Sequence, residues 1–526
     1  MADAVMYRLP RTIEPQRYEL TLTPDLDDAT FAGEARVEVR VNEPVQEVVL
    51  NAVELEIHSA ELVAEDGTRL GGHVTLDDVE ERAIIALDGI AAPGPWYLHL
   101  TFTGILNDKL HGFYRSTFKD EDGVERVIAT TQFEATDARR AFPCWDEPDF
   151  KATYSVTLIV DAELTALSNG ALLEEHDLGN GKRQVSFRET MPMSTYLVAF
   201  LVGPFELTDP VDVNGVPLRI ACIPGRRHLT SFAIEAGAAA LRFLEGYFEI
   251  PYPGGKLDHV AIPDFAFGAM ENLGCVTYRE TALLVDHSAA SQLELERVAE
   301  VIAHETAHMW FGDLVTMKWW NGIWLNEAFA TFMELTTVDQ FRPEWAIWVT
   351  FGAGRSAAFA TDGLRSTRPV EFPVGRPEEA EAMFDVLTYQ KGAAVLRMLE
   401  QYLGPEPFRR GIALYLDQHR YANSETTDLW DAIEAASGEP ARAVMDSWIY
   451  QGGYPVVSVE ASAGGDELTL SQRRFLYPGG EGAELWQVPV SLRYSMEGRV
   501  EHRRLLLTEA RTTVVLPGPV DWVVVN

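Results

Sequence analysis

The sequence predicts a multidomain α+β protein, and three observations support this. A chain of 526 residues is longer than one hydrophobic core usually serves. Apolar residues alternate with polar ones near both ends of the chain, which is typical of strands. In the middle the apolar residues recur at helical spacing. We therefore predict three domains, over residues 1–205, 206–453 and 454–526.

The N-terminal domain is predicted to be an antiparallel β-sheet domain. In the segment 31–41, Val37, Val39 and Val41 are apolar and the residues between them are charged. The segment 17–24, "RYELTLTP", repeats this period of two, and short turn signals follow at close intervals. A half-buried sheet accounts for this alternation.

The middle domain is predicted to be mainly α-helical. Residues 230–248 and 291–312 carry long helical patterns, and Ser291 with Glu294 forms a candidate capping box at the start of the second. Further helices are predicted at 326–341, 389–404, 407–420 and 427–437.

The C-terminal domain is predicted to be a small β-sandwich. It follows the break "QGGYP" at 451–455, after which the alternation of apolar and polar residues returns. The chain ends within an apolar strand pattern, "DWVVVN", so we expect that a further segment follows in a longer protein.

The composition limits the partners. The formal net charge of −37 argues against nucleic acid and anionic membranes. It fits either a solvated, self-repelling surface or a field that attracts cationic ligands such as amines. Three scattered cysteines indicate no disulfide framework, and the apolar run 196–205 is too short to span a bilayer. No secretory signal opens the chain, so a cytoplasmic location is expected.

The stretch "HETAHMW" (304–310) predicts a metal site. Positions i and i+4 share one helix face, so His304 and His308 can direct their imidazoles at one ion. Zinc favours such ligands, and Glu327, which eighteen residues separate from His308, supplies a third. Glu305 borders the metal and can take a proton from a water that the metal activates. Endopeptidases and exopeptidases share this motif, so it leaves the substrate open.

Two upstream segments bear on the substrate. Glu271 and Asn272 lie in a glycine-bearing apolar segment, 264–278, which by itself fits a turn or an edge strand equally well. The segment 130–154 is rich in charged and aromatic residues and reads as a long functional loop.

Together these strings resemble the zinc aminopeptidase N family, the gluzincin aminopeptidases. The resemblance rests on GAMEN (268–272), HETAH with the later Glu327, and "QFEATDARRAFPCWDEP" (132–148). The puromycin-sensitive branch is the most similar, through "YRLPRTIEPQRYELTLTPDL" (7–26) and "FDVLTYQKGAAVLRMLEQYLG" (384–404). The resemblance implies a thermolysin-like catalytic domain that holds one zinc ion and removes N-terminal residues from peptides with a free N-terminus.

The family roles carry over residue by residue. The resemblance implies His304, His308 and Glu327 as zinc ligands and Glu305 as the general base. It implies that the Tyr389 hydroxyl stabilises the oxyanion, although position alone would favour a packed core aromatic. Implied substrate-binding residues are Gln132, Glu134, Phe267, Gly268, Ala269, Met270, Glu271 and Asn272.

The sequence departs from the family at two points. Ala328 follows the third ligand, where the family often has glycine. Many relatives also continue into a large helical domain, and this sequence ends where that domain would begin. Two alternatives remain. An epoxide hydrolase of the leukotriene hydrolase type belongs to the same superfamily, although such enzymes typically carry a second glycine where this chain has Ala269. A non-catalytic scaffold is the other, and it rests on the point at which the sequence ends. A monomer or weak oligomer is expected, without nucleic acid or membrane partners.

Overall fold

The computed structural model describes residues 7–480 and 482–526. The N-terminal part consists of a ten-stranded sheet, in the order β12-β13-β10-β1-β2-β7-β4-β5-β6-β3, and a four-stranded sheet, β11-β14-β9-β8. Strands β1 to β7 are Ile13–Asp25, Thr30–Val41, Val45–Asn51, Leu55–Ala64, Arg69–Asp77, Arg82–Ala91 and Gly94–Ile105. Strands β8 to β14 are Gly112–Lys119, Glu125–Gln132, Thr153–Asp161, Thr165–Ser168, Leu172–Asp177, Lys182–Phe187 and Phe200–Gly203.

The predicted β-rich N-terminal part is confirmed, with one change in strand direction. Val37, Val39 and Val41 in β2 are buried, as their alternation predicts. Neighbouring strands of these two sheets are antiparallel except β1 and β10, which run parallel. The expectation of a wholly antiparallel sheet is therefore wrong at this pair. The alternation of apolar and polar residues indicates which face of a strand is buried. It does not indicate whether a strand from a distant part of the chain pairs with it in the parallel or the antiparallel direction.

The middle part contains a mixed sheet that the sequence patterns did not reveal. Its order is β15-β17-β18-β20-β19, and β16 pairs with β17. These strands, β15 to β20, are Glu206–Leu207, Val211–Val213, Val216–Cys222, Leu257–Ile262, Ala269–Met270 and Cys275–Arg279. Strand β18 is buried along its whole length, so it shows no period of two.

Helices make up most of the remaining middle part, as predicted. The helices α1 to α5 are Ser231–Phe248, Glu280–Leu283, Gln292–His308, Trp324–Phe341 and Ile347–Asp362. The helices α6 to α10 are Pro377–Glu381, Gly392–Leu403, Pro405–Gln418, Thr426–Ser437 and Ala441–Ile449. The short strands β21, Thr316–Met317, and β22, Asn423–Ser424, pair in parallel. Helices α2, α5, α6 and α10 were not predicted.

The predicted capping box of α3 is confirmed. The Glu294 amide donates to the Ser291 hydroxyl, and the Glu294 carboxylate accepts from the Ser291 amide at 2.8 Å. These bonds satisfy two backbone N–H groups at the helix start. The helix they stabilise carries the HETAH residues at its other end.

The C-terminal part forms two three-stranded sheets, β23-β24-β27 and β26-β25-β28. Strands β23 to β28 are Pro455–Ala461, Glu467–Arg474, Val488–Met496, Arg499–Leu507, Arg511–Val515 and Trp522–Val525. Side chains from both sheets, among them Leu470 and Leu492, pack into an apolar cluster separate from the main core. The main core is continuous between the N-terminal sheets and the helical part. Within the described residues, no helix is long and apolar enough to cross a membrane.

Candidate active site and metal centre

Helices α3 and α4 bring the three predicted metal ligands together. His304 and His308 lie one turn apart at the end of α3, and Glu327 lies in the first turn of α4. The two histidine Nε2 atoms are 3.1 Å apart. The Glu327 Oε2 atom is 3.3 Å from the first and 3.4 Å from the second. Tetrahedral zinc with ligands at about 2.0–2.1 Å separates neighbouring donor atoms by about 3.3 Å, so the triangle fits.

Hydrogen bonds on the far side of each imidazole explain why this triangle favours a cation. The His304 Nδ1 atom donates to the Glu334 carboxylate at 2.9 Å, and the His308 Nδ1 atom donates to the Phe311 carbonyl at 2.9 Å. In the neutral imidazoles the two Nε2 atoms therefore carry lone pairs that face each other and the Glu327 carboxylate. A bound dication removes this repulsion, as expected of a metal site with ordered outer partners.

Glu334 was not predicted, although the sequence held a signal for it. It lies seven residues after Glu327 on α4, so the two carboxylates share one helix face. Without an ion, burial alone would lower the pKa of His304, but hydrogen bonds to Glu327 and Glu334 raise it to about 9. Burial by itself would raise the pKa of Glu327, whereas the charge on His308 lowers it. The net effect lowers the pKa of Glu327 to about 2. The carboxylates around the histidines thus favour positive charge at this point.

Glu305 is buried beside the metal triad. Burial raises its pKa to about 8, against the nearby histidines, which lower it. One of its carboxylate oxygens lies within 4.8 Å of ligand atoms of Glu271 and His308. In its ionised form, a carboxylate in this position can accept a proton from a water molecule held at the triad.

A cavity of about 550 Å³ opens over the triad. It brings together all but one of the sequence-predicted site residues. They are Gln132, Glu134, Phe267, Gly268, Ala269, Met270, Glu271, His304, Glu305, His308, Glu327 and Tyr389. Asn272 is the exception, because it lies behind the lining. Its side-chain amide donates to the Cys275 carbonyl at 3.3 Å and to the Thr277 hydroxyl at 3.1 Å, so it holds the turn before β20 instead of facing the cavity.

Several buried acceptor atoms in the cavity wall have no hydrogen-bond partner among the residues that the structure describes. Gln132 Oε1, Glu134 Oε1 and Glu271 Oε1 are among them. Burial and the Glu271 charge raise the pKa of Glu134, and burial raises that of Glu271. Buried acceptors are normally hydrogen-bonded, so a ligand with several N–H donors and a positive charge would fit here.

The GAMEN segment forms the edge of the mixed sheet. Strand β19, Ala269–Met270, pairs with β20 on one side, and the Arg279 amide donates to the Gly268 carbonyl at 2.9 Å. Its other side borders the cavity. An edge strand offers free backbone groups to an extended peptide. The Gln132 side-chain amide donates to the Met270 sulfur at 3.4 Å and links β9 to this edge.

Tyr389 reaches the metal triad from a third element. It lies in a π-helical turn, Leu387–Lys391, directly before α7. Its ring stacks on the His304 ring with centroids 6.0 Å apart and planes at 21°. Burial and the nearby Glu327 raise the pKa of its hydroxyl, which therefore stays protonated and can donate a hydrogen bond.

Comparisons with known proteins show which family the chain resembles. The family model described as "Peptidase family M1 domain" matches residues 232–448, and "Peptidase M1 N-terminal domain" matches residues 14–197. "Aminopeptidase M1" of Arabidopsis thaliana is 44% identical over 511 residues, which is 96% of this chain and 57% of that protein. "Puromycin-sensitive aminopeptidase" of Caenorhabditis elegans is 40% identical over 528 residues, 99% of this chain and 56% of that protein. "Aminopeptidase 2, mitochondrial" of Saccharomyces cerevisiae is 41% identical over 479 residues, 89% of this chain and 49% of that protein. The chain thus spans about half the length of these relatives.

Proposed function

Because this chain belongs to peptidase family M1, we propose that it is a zinc-dependent aminopeptidase that hydrolyses the first peptide bond of peptides with a free N-terminus. The observation that carries the proposal is the set of unpaired carboxylate and amide oxygens beside the metal triad. A hydrolytic metal alone does not distinguish a chain end from a chain interior. Buried acceptors that need a cation do, because only the first residue of a peptide carries an α-ammonium group.

We propose that His304, His308 and Glu327 hold the zinc ion. When bound, zinc would activate a water molecule and polarise the scissile carbonyl. Glu334 and the Phe311 carbonyl keep the two imidazoles in the tautomer that this requires.

The chain's own groups would carry the proton and the negative charge. Glu305 accepts the proton of the attacking water and passes it to the departing amine. The Tyr389 hydroxyl donates a hydrogen bond to the oxygen on which negative charge develops. Its raised pKa keeps the donor proton in place at neutral pH.

The substrate's first residue would be held by two sets of groups. Glu134 and Glu271, with Gln132, accept hydrogen bonds from the ammonium group and block longer N-terminal extensions. The edge formed by Gly268 and Ala269 lies along the substrate backbone, and Phe267 with Met270 borders the first side chain.

The finer organisation is part of the same proposal. We divide the chain into domains 1–205, 206–453 and 454–526, the last a small β-sandwich, and expect a cytoplasmic monomer or weak oligomer. The large excess of acidic residues supports the absence of nucleic acid and anionic membrane partners.

The test compares aminoacyl p-nitroanilides with their N-acetylated forms, with and without a chelator. We expect cleavage of the free amines alone and loss of activity in the chelator. Equal cleavage of blocked substrates would refute the exopeptidase proposal. Epoxide hydrolysis without amidase activity would favour the epoxide hydrolase. Bound zinc with no activity would favour the non-catalytic scaffold.

A further inference from the structure

The π-helical turn that carries Tyr389 is a short segment with two charged anchors. The Tyr389 amide donates to the Asp385 carbonyl at 3.1 Å, and the Lys391 amide donates to the Val386 carbonyl at 3.0 Å. π-helical turns are rare, and an unusual backbone conformation of this kind is kept only where contacts with surrounding residues hold it in place. The contacts at each end of this turn are therefore informative.

The first anchor lies before the turn. The Asp385 Oδ1 atom accepts from the Leu387 amide at 2.9 Å, from the Thr388 amide at 3.2 Å and from the Arg368 guanidinium at 2.6 Å. Arg368 also donates to the Met383 carbonyl at 3.2 Å and the Thr388 hydroxyl at 3.0 Å. One carboxylate oxygen thus fixes the two residues that precede Tyr389.

The second anchor lies after the turn. The buried Lys391 ammonium group is 2.7 Å from Asp362 Oδ2 and donates to the Gly453 carbonyl at 3.0 Å. The other Asp362 oxygen accepts from the Gly453 amide at 2.7 Å and from the Thr367 hydroxyl at 2.8 Å. Gly453 lies two residues before β23, the first strand of the C-terminal sheets, and Asp362 ends α5.

Helix α5 connects this anchor to the cavity. Thr350, Phe351 and Gly354 on α5 line the cavity, and Asp362 holds Lys391 at the end of the same helix. The turn with Tyr389, one wall of the cavity and the chain leading to the C-terminal sheets are therefore joined through one buried ion pair.

We propose that Asp385 and Lys391, with their partners Arg368 and Asp362, are positioning residues that hold the Tyr389 hydroxyl where the oxyanion forms. The inference rests on the proposed function and deepens it. A hydroxyl donor contributes only when it is aimed at the oxygen that gains charge, and a shift of about 1 Å can lower the rate about 100-fold. The anchors serve the transition state and leave substrate binding to the carboxylates across the cavity.

The test is a double-mutant cycle on the zinc-loaded full chain. Tyr389→Phe is expected to lower kcat about 100-fold, and Asp385→Ala about 10- to 100-fold, with KM changed less than about twofold. In the Tyr389→Phe background, Asp385→Ala should lower kcat further by less than about twofold, because the donor that it positions is gone. Asp385→Asn keeps an acceptor oxygen and should lower kcat only about threefold.

Asp428→Asn is the matched control. Its carboxylate caps α9 by accepting from the Glu425 amide at 2.8 Å, outside the cavity lining. We expect unchanged kcat. Zinc content and the unfolding midpoint are measured for every variant, so that loss of metal or of fold is seen directly.

The outcomes separate the two proposals. Equal loss on Asp385→Ala in both backgrounds, or a loss matched by lower zinc content, overturns the positioning role. If Asp385→Ala does not fold, the same cycle is run with Asp385→Asn and with Arg368→Lys. The positioning role is overturned if neither substitution lowers kcat more in the presence of Tyr389 than in the Tyr389→Phe background. A wild-type protein without aminopeptidase activity refutes the proposed function itself.

Discussion

Adding one methyl group at Gly392 should disturb the active site through a single contact. Gly392 begins α7, three residues after Tyr389, and Ala328 follows Glu327 on α4. A Cβ atom built on Gly392 would lie 2.5 Å from the Ala328 Cβ atom. Carbon atoms pack at about 3.5–4.0 Å, so the two helices would have to separate by about 1 Å or more.

The size of the effect follows from this overlap. Overpacking a tight contact costs about 1–3 kcal/mol, and replacing glycine by alanine in a helix returns about 0.5–1 kcal/mol. We expect Gly392→Ala to lower the free energy of unfolding by about 1–2 kcal/mol. Because the separation lies between the Tyr389 turn and Glu327, kcat should fall by about 10- to 100-fold.

A second substitution should reverse the loss. In the double variant Gly392→Ala with Ala328→Gly, the methyl group moves to the other side of the contact, and the two helix-propensity changes of about 0.5–1 kcal/mol cancel. Stability within about 1 kcal/mol of wild type and recovery of most of kcat are expected. The control is Gly246→Ala, an exposed helical glycine on α1 with open space around the added carbon, which should be neutral or stabilising.

The assay is urea unfolding followed by fluorescence, with kcat and KM on an aminoacyl p-nitroanilide and zinc content for each variant. A double variant no better than Gly392→Ala would refute the reasoning. So would a Gly392→Ala protein with wild-type stability and rate, because the α4–α7 contact would then have room that the structure does not show.

Three further predictions address single groups. Glu305→Gln should keep zinc and lose turnover by about 100- to 10,000-fold, and an active variant would remove Glu305 from the base role. Glu271→Gln should raise KM for free aminoacyl substrates and reduce the preference over N-acetylated ones, and an unchanged preference would count against an ammonium site. Glu334→Ala should weaken zinc binding by about 10- to 100-fold in a chelator competition, whereas unaltered affinity would mean that His304 is oriented without it.

The sequence predicted the parts of the site that depend on local geometry. Helix periodicity puts His304 and His308 on one face, and the capping box marks the start of their helix. The roles of Glu134 and Tyr389 came only from resemblance, because nothing local distinguishes a buried glutamate or a helix-start tyrosine from core residues. Asn272 shows the limit of that approach, since its motif neighbours line the cavity while its own amide holds a turn.

Other features depend on contacts between distant segments, which local patterns do not encode. The parallel pairing of β1 with β10 and the π-helical turn at Tyr389 are of this kind. Arg368 pairs with Asp385 at one end of the turn and Asp362 pairs with Lys391 at the other, and no spacing rule relates these four positions. A propensity scale predicts an ordinary helix start at 389, which is what we predicted.

The proposed selectivity for a free N-terminus depends on the junction between the N-terminal sheets and the helical part. Glu134 comes from the loop after β9, and Glu271 directly follows β19 of the mixed sheet. Their separation is set by contacts between the two parts, such as the Tyr196 hydroxyl, which donates to the Gly312 carbonyl at 3.3 Å and accepts from Asn326 at 3.2 Å. The proposed metal ligands come only from α3 and α4. A change that loosens this junction should therefore weaken the ammonium site before it weakens zinc binding, so discrimination between free and blocked substrates would be lost first.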